Sequence, residues 1–565
     1  MGKEVVSQLF NLLEEYGVKH VVCSPGSRNA ALLLEAHKHP PIKKHIVADE
    51  RSAAFIGLGI SMATKTPVVL ICTSGTAMLN YGPALAEAFY QGIPLIVVSA
   101  DRPTEWIDQD DSQTIRQIGP LDNFVKASYN LDGDWYSEDE IWLANRILNE
   151  GIQKCLSPKQ GPVQFNVHLD GHVNNERQEG LKVRKILDIH SSRQIDKEQI
   201  KNLAEEVEGK KILFVAGSML PDDRMQKAVS YLLRLPNVCI MAETVSNLHL
   251  PVECYRIDNV LFSPDPRIDE NYKPDIIISV GGALISRKLK EYLRKCTGSR
   301  HWAVGYSNNV IDCFKRLSLR IVAEPASFIK TFAKLILRKN SISPIMSSYQ
   351  ADWRKIRQIQ KAKLKSLPWS DLRALDILFN ALPRETNLFL SNGTSVRYGQ
   401  IIPYHVTHAT YSNRGVSGIE GCTSTAIGIS LVYDKPTCLV TGDMSFLYDL
   451  GGLASNLASE RLIIVILDNG GGDIFRFINA TKDLEIRERY LCAQREVPAF
   501  QLSQAFGFDY YFAENEKNLK KILRDIFNLS GKPKILHIST RNSKNNSSIL
   551  RNFLNNQYND EMDDN

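Results

Sequence analysis

Short apolar runs alternate with helix-length amphipathic stretches along most of the chain, and each run is followed by a polar turn, usually one with glycine. Apolar runs at 20–23, 45–47, 67–72 and 94–99 predict strands, with helices at 27–38, 52–63 and 76–90 between them. The same rhythm returns with strands at 210–216, 238–241, 275–280 and 302–304. It returns again at 388–390, 410–412, 437–441, 462–467 and 535–538. A strand followed by a helix and another strand makes a parallel pair, and parallel sheets are covered by helices on both faces. The fold class is therefore α/β, with three doubly wound parallel-sheet domains. A charged stretch at 175–197 and a Ser- and Pro-containing stretch at 340–349 separate them. The expected bounds are 1–180, 190–340 and 350–545, followed by a polar tail at 546–565 that starts as a helix and frays.

The 565 residues suit three or four domains at about 150 residues each. A net charge of +5 is too small a surplus to predict a nucleic-acid groove, though it suits acidic small molecules. No apolar run approaches the roughly 18 residues of a membrane span. The ten cysteines include no Cys-x-x-Cys pair, and residues 1–13 carry no apolar signal core. These features predict a cytoplasmic protein with reduced thiols.

Open α/β sheets bind ligands where their strands end. The turns at those ends are Ser24-Pro25-Gly26-Ser27-Arg28-Asn29, Asp49-Glu50-Arg51, Thr73-Ser74-Gly75-Thr76 and Ala100-Asp101-Arg102-Pro103 in the first region. In the last they are Ser391-Asn392-Gly393-Thr394, Asn413-Arg414-Gly415, Gly442-Asp443-Met444-Ser445 and Asp468-Asn469-Gly470-Gly471. Asp443 and Asn469 lie 26 positions apart, with room for one helix (446–458) and one strand. If the two strands are neighbours, both side chains leave one sheet edge about 4.8 Å apart. Oxygen ligands at about 2.1 Å let Mg²⁺ bridge that gap. The Gly471 carbonyl is the candidate third ligand, and the glycines leave room for a diphosphate. The lesser reading, taken alone, is that Asp443 caps a helix and Asn469 fills a turn.

Gly442-Asp443 followed by Asn469 is similar to the thiamine-diphosphate motif that begins Gly-Asp-Gly and ends Asn-Asn. With the turns above, the 50–55 segment, the 72–77 segment, Asn413-Arg414-Gly415-Val416-Ser417-Gly418-Ile419 and Gly442-Asp443-Met444-Ser445-Phe446-Leu447, the chain resembles the 2-succinyl-5-enolpyruvyl-6-hydroxy-3-cyclohexene-1-carboxylate synthase family over about residues 1–540. The resemblance implies pyrimidine-binding, central and diphosphate-binding domains. It also implies a homodimer or dimer of dimers, with each thiamine diphosphate lying between two subunits. Departures are Met444 for the last glycine of the motif, Asp468 for its first Asn, Gly393 for a serine that neighbouring Thr394 could replace, and Tyr448 for a histidine.

The activity implied is decarboxylation of 2-oxoglutarate and addition of the succinyl-semialdehyde carbanion equivalent to isochorismate, with Mg²⁺ required and Mn²⁺ tolerated. Glu50 matches the catalytic glutamate, which hydrogen-bonds the pyrimidine ring nitrogen; that role asks for a desolvated carboxyl with a raised pKa. Cofactor contacts fall on Pro25, Glu50, Thr76, Asn80, Gly393, Thr394, Ile419, Gly442, Asp443, Met444, Ser445, Asn469 and Gly471. Two dicarboxylic substrates need cations, and Arg28, Arg102, Arg397 and Arg414 sit in strand-end motifs where a guanidinium can grip a carboxylate. Arg287 and Lys288 match a basic pair of the central domain. Ser27, Gln113 and Arg116 are second-tier contacts, and Ile474 and Phe475 line the pocket.

Blander readings stand beside these. Glu50 and Arg51 could form a surface charge cluster, Ile419, Ile474 and Phe475 could be core, and the arginines could be solvated. An acetolactate-type carboligase or oxoacid decarboxylase would keep the cofactor and change the substrate, but pyruvate's single carboxylate does not call for so many arginines. A non-catalytic paralogue would have no need of Glu50, Asp443 and Asn469 together.

Overall fold

The computed structural model describes residues 4–555 apart from 134–136, 171–182, 189–194, 263–269, 308, 340–347, 358–363, 403–406, 530 and 542–545. The expected linker at 175–197 and boundary at 340–349 lie largely outside the described residues.

Strands β1 (His20–Cys23), β2 (Lys43–Ile46), β3 (Val68–Cys72), β4 (Leu95–Asp101), β5 (Ser128–Asp132) and β6 (Val163–His168) form the first sheet, in the order β2-β1-β3-β4-β6-β5. The central sheet holds β7 (Ile212–Ala216), β8 (Val238–Ala242), β9 (Ile276–Val280), β10 (Arg300–Val304) and β11 (Leu317–Ile321), in the order β11-β10-β9-β7-β8. The third holds β12 (Asn387–Leu390), β13 (Ala409–Tyr411), β14 (Thr437–Gly442), β15 (Leu462–Asp468), β16 (Asp509–Ala513) and β17 (Lys534–Ser539). Its order, β13-β12-β14-β15-β17-β16, repeats that of the first sheet strand for strand. Every described strand pair is parallel.

Three strands absent from the sequence reading, β5, β11 and β16, are sheet edges whose residues are mostly half-exposed. An edge strand has no need of the continuous apolar run that marks a central parallel strand. The fourth, β6, is buried but reads Val-Gln-Phe-Asn-Val-His. Two of its polar side chains bond to β4 and to Gln117: Gln164 donates to Ser99 Oγ at 3.1 Å, and Asn166 donates to Asp101 at 2.8 Å and accepts from Gln117 at 2.7 Å.

Side chains alternate across each strand, so each sheet feeds two cores. In the first sheet Val21, Val69 and Ile71 face one core, and Val22, Leu70 and Val97 face another. That second core runs on into the third domain, taking in Phe389, Leu439, Ile464 and Ile466. Two helices cross within it, Glu50–Thr64 and Cys422–Leu431. A Cβ on Gly59 would lie 2.0 Å from Thr425 O and 3.1 Å from Ile429 N. A Cβ on Gly428 would lie 2.1 Å from Ile56 O and 3.0 Å from Ile60 N. The contact is reciprocal: each glycine meets the residue three positions before the other and the one immediately after it.

The helix expected at 446–458 is two short ones, Asp443–Tyr448 and Leu450–Ala454. The segment expected at 76–90 begins as a 3₁₀ turn, Gly75–Tyr81, and continues as the helix Gly82–Gln91, with Pro83 in its first turn. The stretch assigned to a polar tail opens with the helix Asn546–Asn555, whose Leu550, Phe553 and Leu554 are buried in the third domain's core; residues 556–565 lie outside the described residues.

Gly428→Ala forces a methyl against the Ile56 carbonyl. Overpacking of this kind costs about 1–3 kcal/mol. The expected result is a lower midpoint of urea unfolding, followed by circular dichroism.

Candidate active site

Glu50 opens its helix at the carboxyl edge of the first sheet. Asp49 caps that helix, accepting from Arg51 N at 3.0 Å and from Ser52 Oγ at 2.9 Å. Glu50 lies half-buried in a cavity of about 280 Å³ with Thr73, Ser74, Thr76, Asn80 and Gln113 on its walls. Burial pushes its carboxyl above the ordinary value, and the Asp49 charge adds to the rise. Arg51 turns away from it, stacking on the Tyr448 ring at 5.2 Å and donating to the Tyr448 carbonyl at 3.0 Å. Tyr448, a departure without evident consequence in the sequence, is thus a strut between the two outer domains.

Pro25 and Ser27 are exposed at the neighbouring strand end. Arg28 donates to Leu169 O at 3.1 Å; burial, then the nearby Arg102 charge, lowers its pKa. Arg102 pairs with Asp111 and donates to Ser112 O at 3.2 Å. Arg116 is exposed and pairs with Asp108 at 2.7 Å, so Gln113 borders the cavity while Arg116 points into solvent.

In the third domain β14 and β15 are neighbours and parallel, with Gly442 opposite Leu467. Asp443 is buried at 4% exposure; Gly442 is the N-cap, so Asp443 is not the cap residue. Its carboxylate accepts from Met444 N and Gly471 N, each at 2.7 Å, and burial pushes it up to about 7. Asn469 donates its amide to Asp371 at 2.7 Å, which leaves its Oδ1 buried without a hydrogen-bond partner among the described residues. A buried carboxylate beside an unused amide oxygen is the donor set a hard divalent cation takes. At Gly471, φ is +130°, and a Cβ there would lie 2.5 Å from Cys492 O, so only glycine fits. Asp468, in the place of the usual first Asn, is taken up by His537 and Arg541. Burial alone would raise its carboxyl, but His537 at 3.0 Å and Arg541 at 2.8 Å hold it below the ordinary value.

The loop 413–419 hangs over this edge. Arg414 donates to Asn392 Oδ1 at 2.7 Å, and Asn392 donates to the carbonyls of Asn413 at 2.7 Å and Gly418 at 2.6 Å. Ser445 Oγ donates to Ile419 O at 2.6 Å, and Ile419 remains 37% exposed. Arg397 donates to Gly393 O; space is open beside Gly393, and Thr394 is half-buried. Ile474 and Phe475 are half-buried in the short helix Ile474–Phe477. Lys288 lies over the Phe262 ring at 5.2 Å with its Nζ 3.7 Å from Glu291, and Arg287 is exposed and pairs with the same Glu291 at 2.8 Å.

Asp371 and Glu87 were absent from the sequence reading. Asp371 sits in a helical first turn, where an acid is unremarkable. Glu87 is 1% exposed and accepts from Gly415 N and, at 2.8 Å, from Val416 N. Its signal was a lone acid within Ala84-Leu85-Ala86-Glu87-Ala88-Phe89. It explains Gly415, where a Cβ would lie 2.5 Å from the Glu87 carbonyl.

Residues 3–119 match the thiamine pyrophosphate enzyme N-terminal TPP binding domain, and residues 393–538 match the C-terminal TPP binding domain. A 2-succinyl-5-enolpyruvyl-6-hydroxy-3-cyclohexene-1-carboxylate synthase of Porphyromonas gingivalis is 37% identical, over 98% of this chain and 97% of its own. The chain belongs to the 2-succinyl-5-enolpyruvyl-6-hydroxy-3-cyclohexene-1-carboxylate synthase family. A second relative of that name, from Flavobacterium psychrophilum, is 35% identical over 98% of both chains. In fold, benzoylformate decarboxylase from Polynucleobacter necessarius matches with a TM-score of 0.69 at 17% identity, covering 96% of this chain and 99% of its own. As a member of this synthase family, the protein is a thiamine-diphosphate-dependent transferase, a carboligase.

Glu87→Ala removes the acceptor of the Gly415 and Val416 N–H groups at a partly buried joint. Each unsatisfied group costs about 1–3 kcal/mol. A fall of about 1–3 kcal/mol in unfolding free energy is expected from urea titration.

Proposed function

We propose that the enzyme decarboxylates 2-oxoglutarate and adds the succinyl-semialdehyde carbanion equivalent to isochorismate, giving 2-succinyl-5-enolpyruvyl-6-hydroxy-3-cyclohexene-1-carboxylate and CO₂ in menaquinone biosynthesis. The observation that carries this reading is the end-to-end identity with synthases of that name. Bound thiamine diphosphate supplies the electron sink for decarboxylation and the carbon nucleophile for the addition.

Glu50 is the catalytic residue of the first domain. Its raised carboxyl would hold a proton toward the pyrimidine ring of bound cofactor, a proton that a solvated glutamate would give up too readily. Pro25, Thr76 and Asn80 shape the same end of the cofactor site. Asp443, Asn469 through its free Oδ1, and the Gly471 carbonyl would hold Mg²⁺, or Mn²⁺, at the diphosphate end, with Gly442, Met444, Ser445, Gly393 and Thr394 around it. Ile419 offers an apolar prop between the two ends.

Arg28 and Arg102 at the first edge, and Arg397 and Arg414 at the third, receive the substrate carboxylates, with Lys288, Ser27 and Gln113 beside them. Ile474 and Phe475 close the apolar side. Arg287 and Arg116 are outer members of the set, since both side chains are exposed and paired on the surface.

The active assembly in this reading is a homodimer or dimer of dimers in the cytoplasm. The Glu50 cavity is walled by residues of the first domain alone, whereas Asp443 and Asn469 belong to the third. Leu79, Trp106, Val416 and Ile419 are exposed apolar residues close in sequence to the two half-sites, as a second copy would require. Among the described residues no helix is long and apolar enough to cross a membrane.

The test is isochorismate consumption, followed by ultraviolet absorbance, with 2-oxoglutarate, thiamine diphosphate and Mg²⁺ each omitted in turn. Loss that needs all three is expected. No loss, from folded protein that binds the cofactor, discards the acceptor. Glu50→Gln is expected to lower kcat by at least about 10²-fold while thiamine diphosphate affinity by calorimetry stays within about threefold; a wild-type rate would remove Glu50 from its role.

A further inference from the structure

The end of β8 is where the central domain reaches the arginines of the third. Glu243 directly follows β8 and is fully buried. Its carboxylate oxygens accept from Ile285 N and Ser286 N, each at 2.7 Å. Ser286 is the N-cap of the helix Arg287–Lys295; its Oγ accepts from Leu289 N at 2.9 Å and donates to Asp258. Thr244 N donates to Gln400 at 3.2 Å, in the helix Ser395–Ile401 that carries Arg397. Asn247 exchanges two hydrogen bonds with the backbone of Thr410, at 2.7 and 3.0 Å, in β13 just before Arg414.

The charges follow the same path. Burial lowers the pKa of Arg397, and the nearby Arg414 charge lowers it further while Asp258 opposes the shift. Burial also lowers that of Arg414, with Glu243 and then Glu87 opposing. Yet among the described residues no carboxylate lies within 4.0 Å of either guanidinium, and the buried Arg414 Nε has no partner. The arginines are balanced through space while N–H capacity stays open to a ligand. Burial pushes Glu243 itself up to about 7, against the pull of its two N–H donors and of Arg414. A buried carboxylate is costly to keep, so one next to the residues that tie two domains together calls for a reason.

We propose that Glu243 is a positioning residue of the carboxylate-binding site: it fixes the start of the helix Arg287–Lys295, and with it Lys288, relative to the Arg397–Arg414 pair. The inference rests on the reading of Arg397, Arg414 and Lys288 as substrate contacts.

The test is a double-mutant cycle on full-length enzyme with Glu243→Gln and Lys288→Ala. Gln keeps the shape but loses the charge and turns an amide donor toward a backbone N–H. The expected result is a KM for at least one of the two dicarboxylates raised about tenfold, with kcat and thiamine diphosphate affinity within about threefold. In the Lys288→Ala background the same substitution is expected to add little, because the two act through one helix. Ser286→Ala, a milder cut in the same connection, is expected to move KM in the same direction and serves if Glu243→Gln does not fold. Unchanged KM in Glu243→Gln, full additivity with Lys288→Ala, or lost cofactor affinity at unchanged KM overturns the proposal. If the wild type does not turn over isochorismate, the proposed reaction falls and this inference is read instead from the Kd of succinate, a non-reacting dicarboxylate, in the same variants. A tenfold weakening of succinate then supports it, and an unchanged Kd removes it.

Discussion

Because every described strand pair runs parallel, the turns at the strands' carboxyl ends leave from one edge of each sheet. The remaining features of the site follow from that constraint. Polar turns separated by tens of residues gather at two edges, one holding Glu50 and Thr76, the other Asn392, Asp443 and Asn469. The central sheet brings Glu243 to the arginines of the third by the same rule, since Glu243 too follows the end of its strand. Parallel sheets are buried on both faces, which leaves their ends as the natural place for charge.

Charge at those ends is nevertheless partly buried, and the structure handles it in a consistent way. Asp443, Glu87 and Glu243 each accept from two backbone N–H groups, so the donors that stabilise them are fixed by the fold and cannot rotate away. Asp468 shows the alternative, a carboxylate held by His537 and Arg541 side chains. The first kind of partner ties elements together; the second neutralises a charge that would otherwise sit beside Asp443 and Asp371.

The sequence shows the interior strands plainly because their apolar runs serve two cores at once. Edge strands β5, β11 and β16 escape notice since half-exposure relaxes their composition, and β6 is hidden by polar side chains that bond to neighbouring strands and turns. At the site, the turns carrying Glu50, Asp443 and Asn469 are legible in order and spacing. Their supports are not. Tyr448 finds its meaning in Arg51, 397 positions away, and Glu87 in Gly415 and Val416, more than 300 away. A partner brought in by tertiary packing leaves no local pattern, and the central domain's tie to the third through Thr244 and Asn247 is invisible for the same reason.

The crossing of the helices Glu50–Thr64 and Cys422–Leu431 has the form of an isologous contact, the kind two identical subunits make across a dyad. Each glycine meets the same offsets on the other helix, and the sheets behind the helices share one strand order. The chain thus carries a local two-fold pattern within a single polypeptide. The turns at the two sheet edges do not share it, since one carries Glu50 and the other Asp443 and Asn469. At the joint, where backbone meets backbone, no larger residue could be accommodated, and there the two halves are most alike.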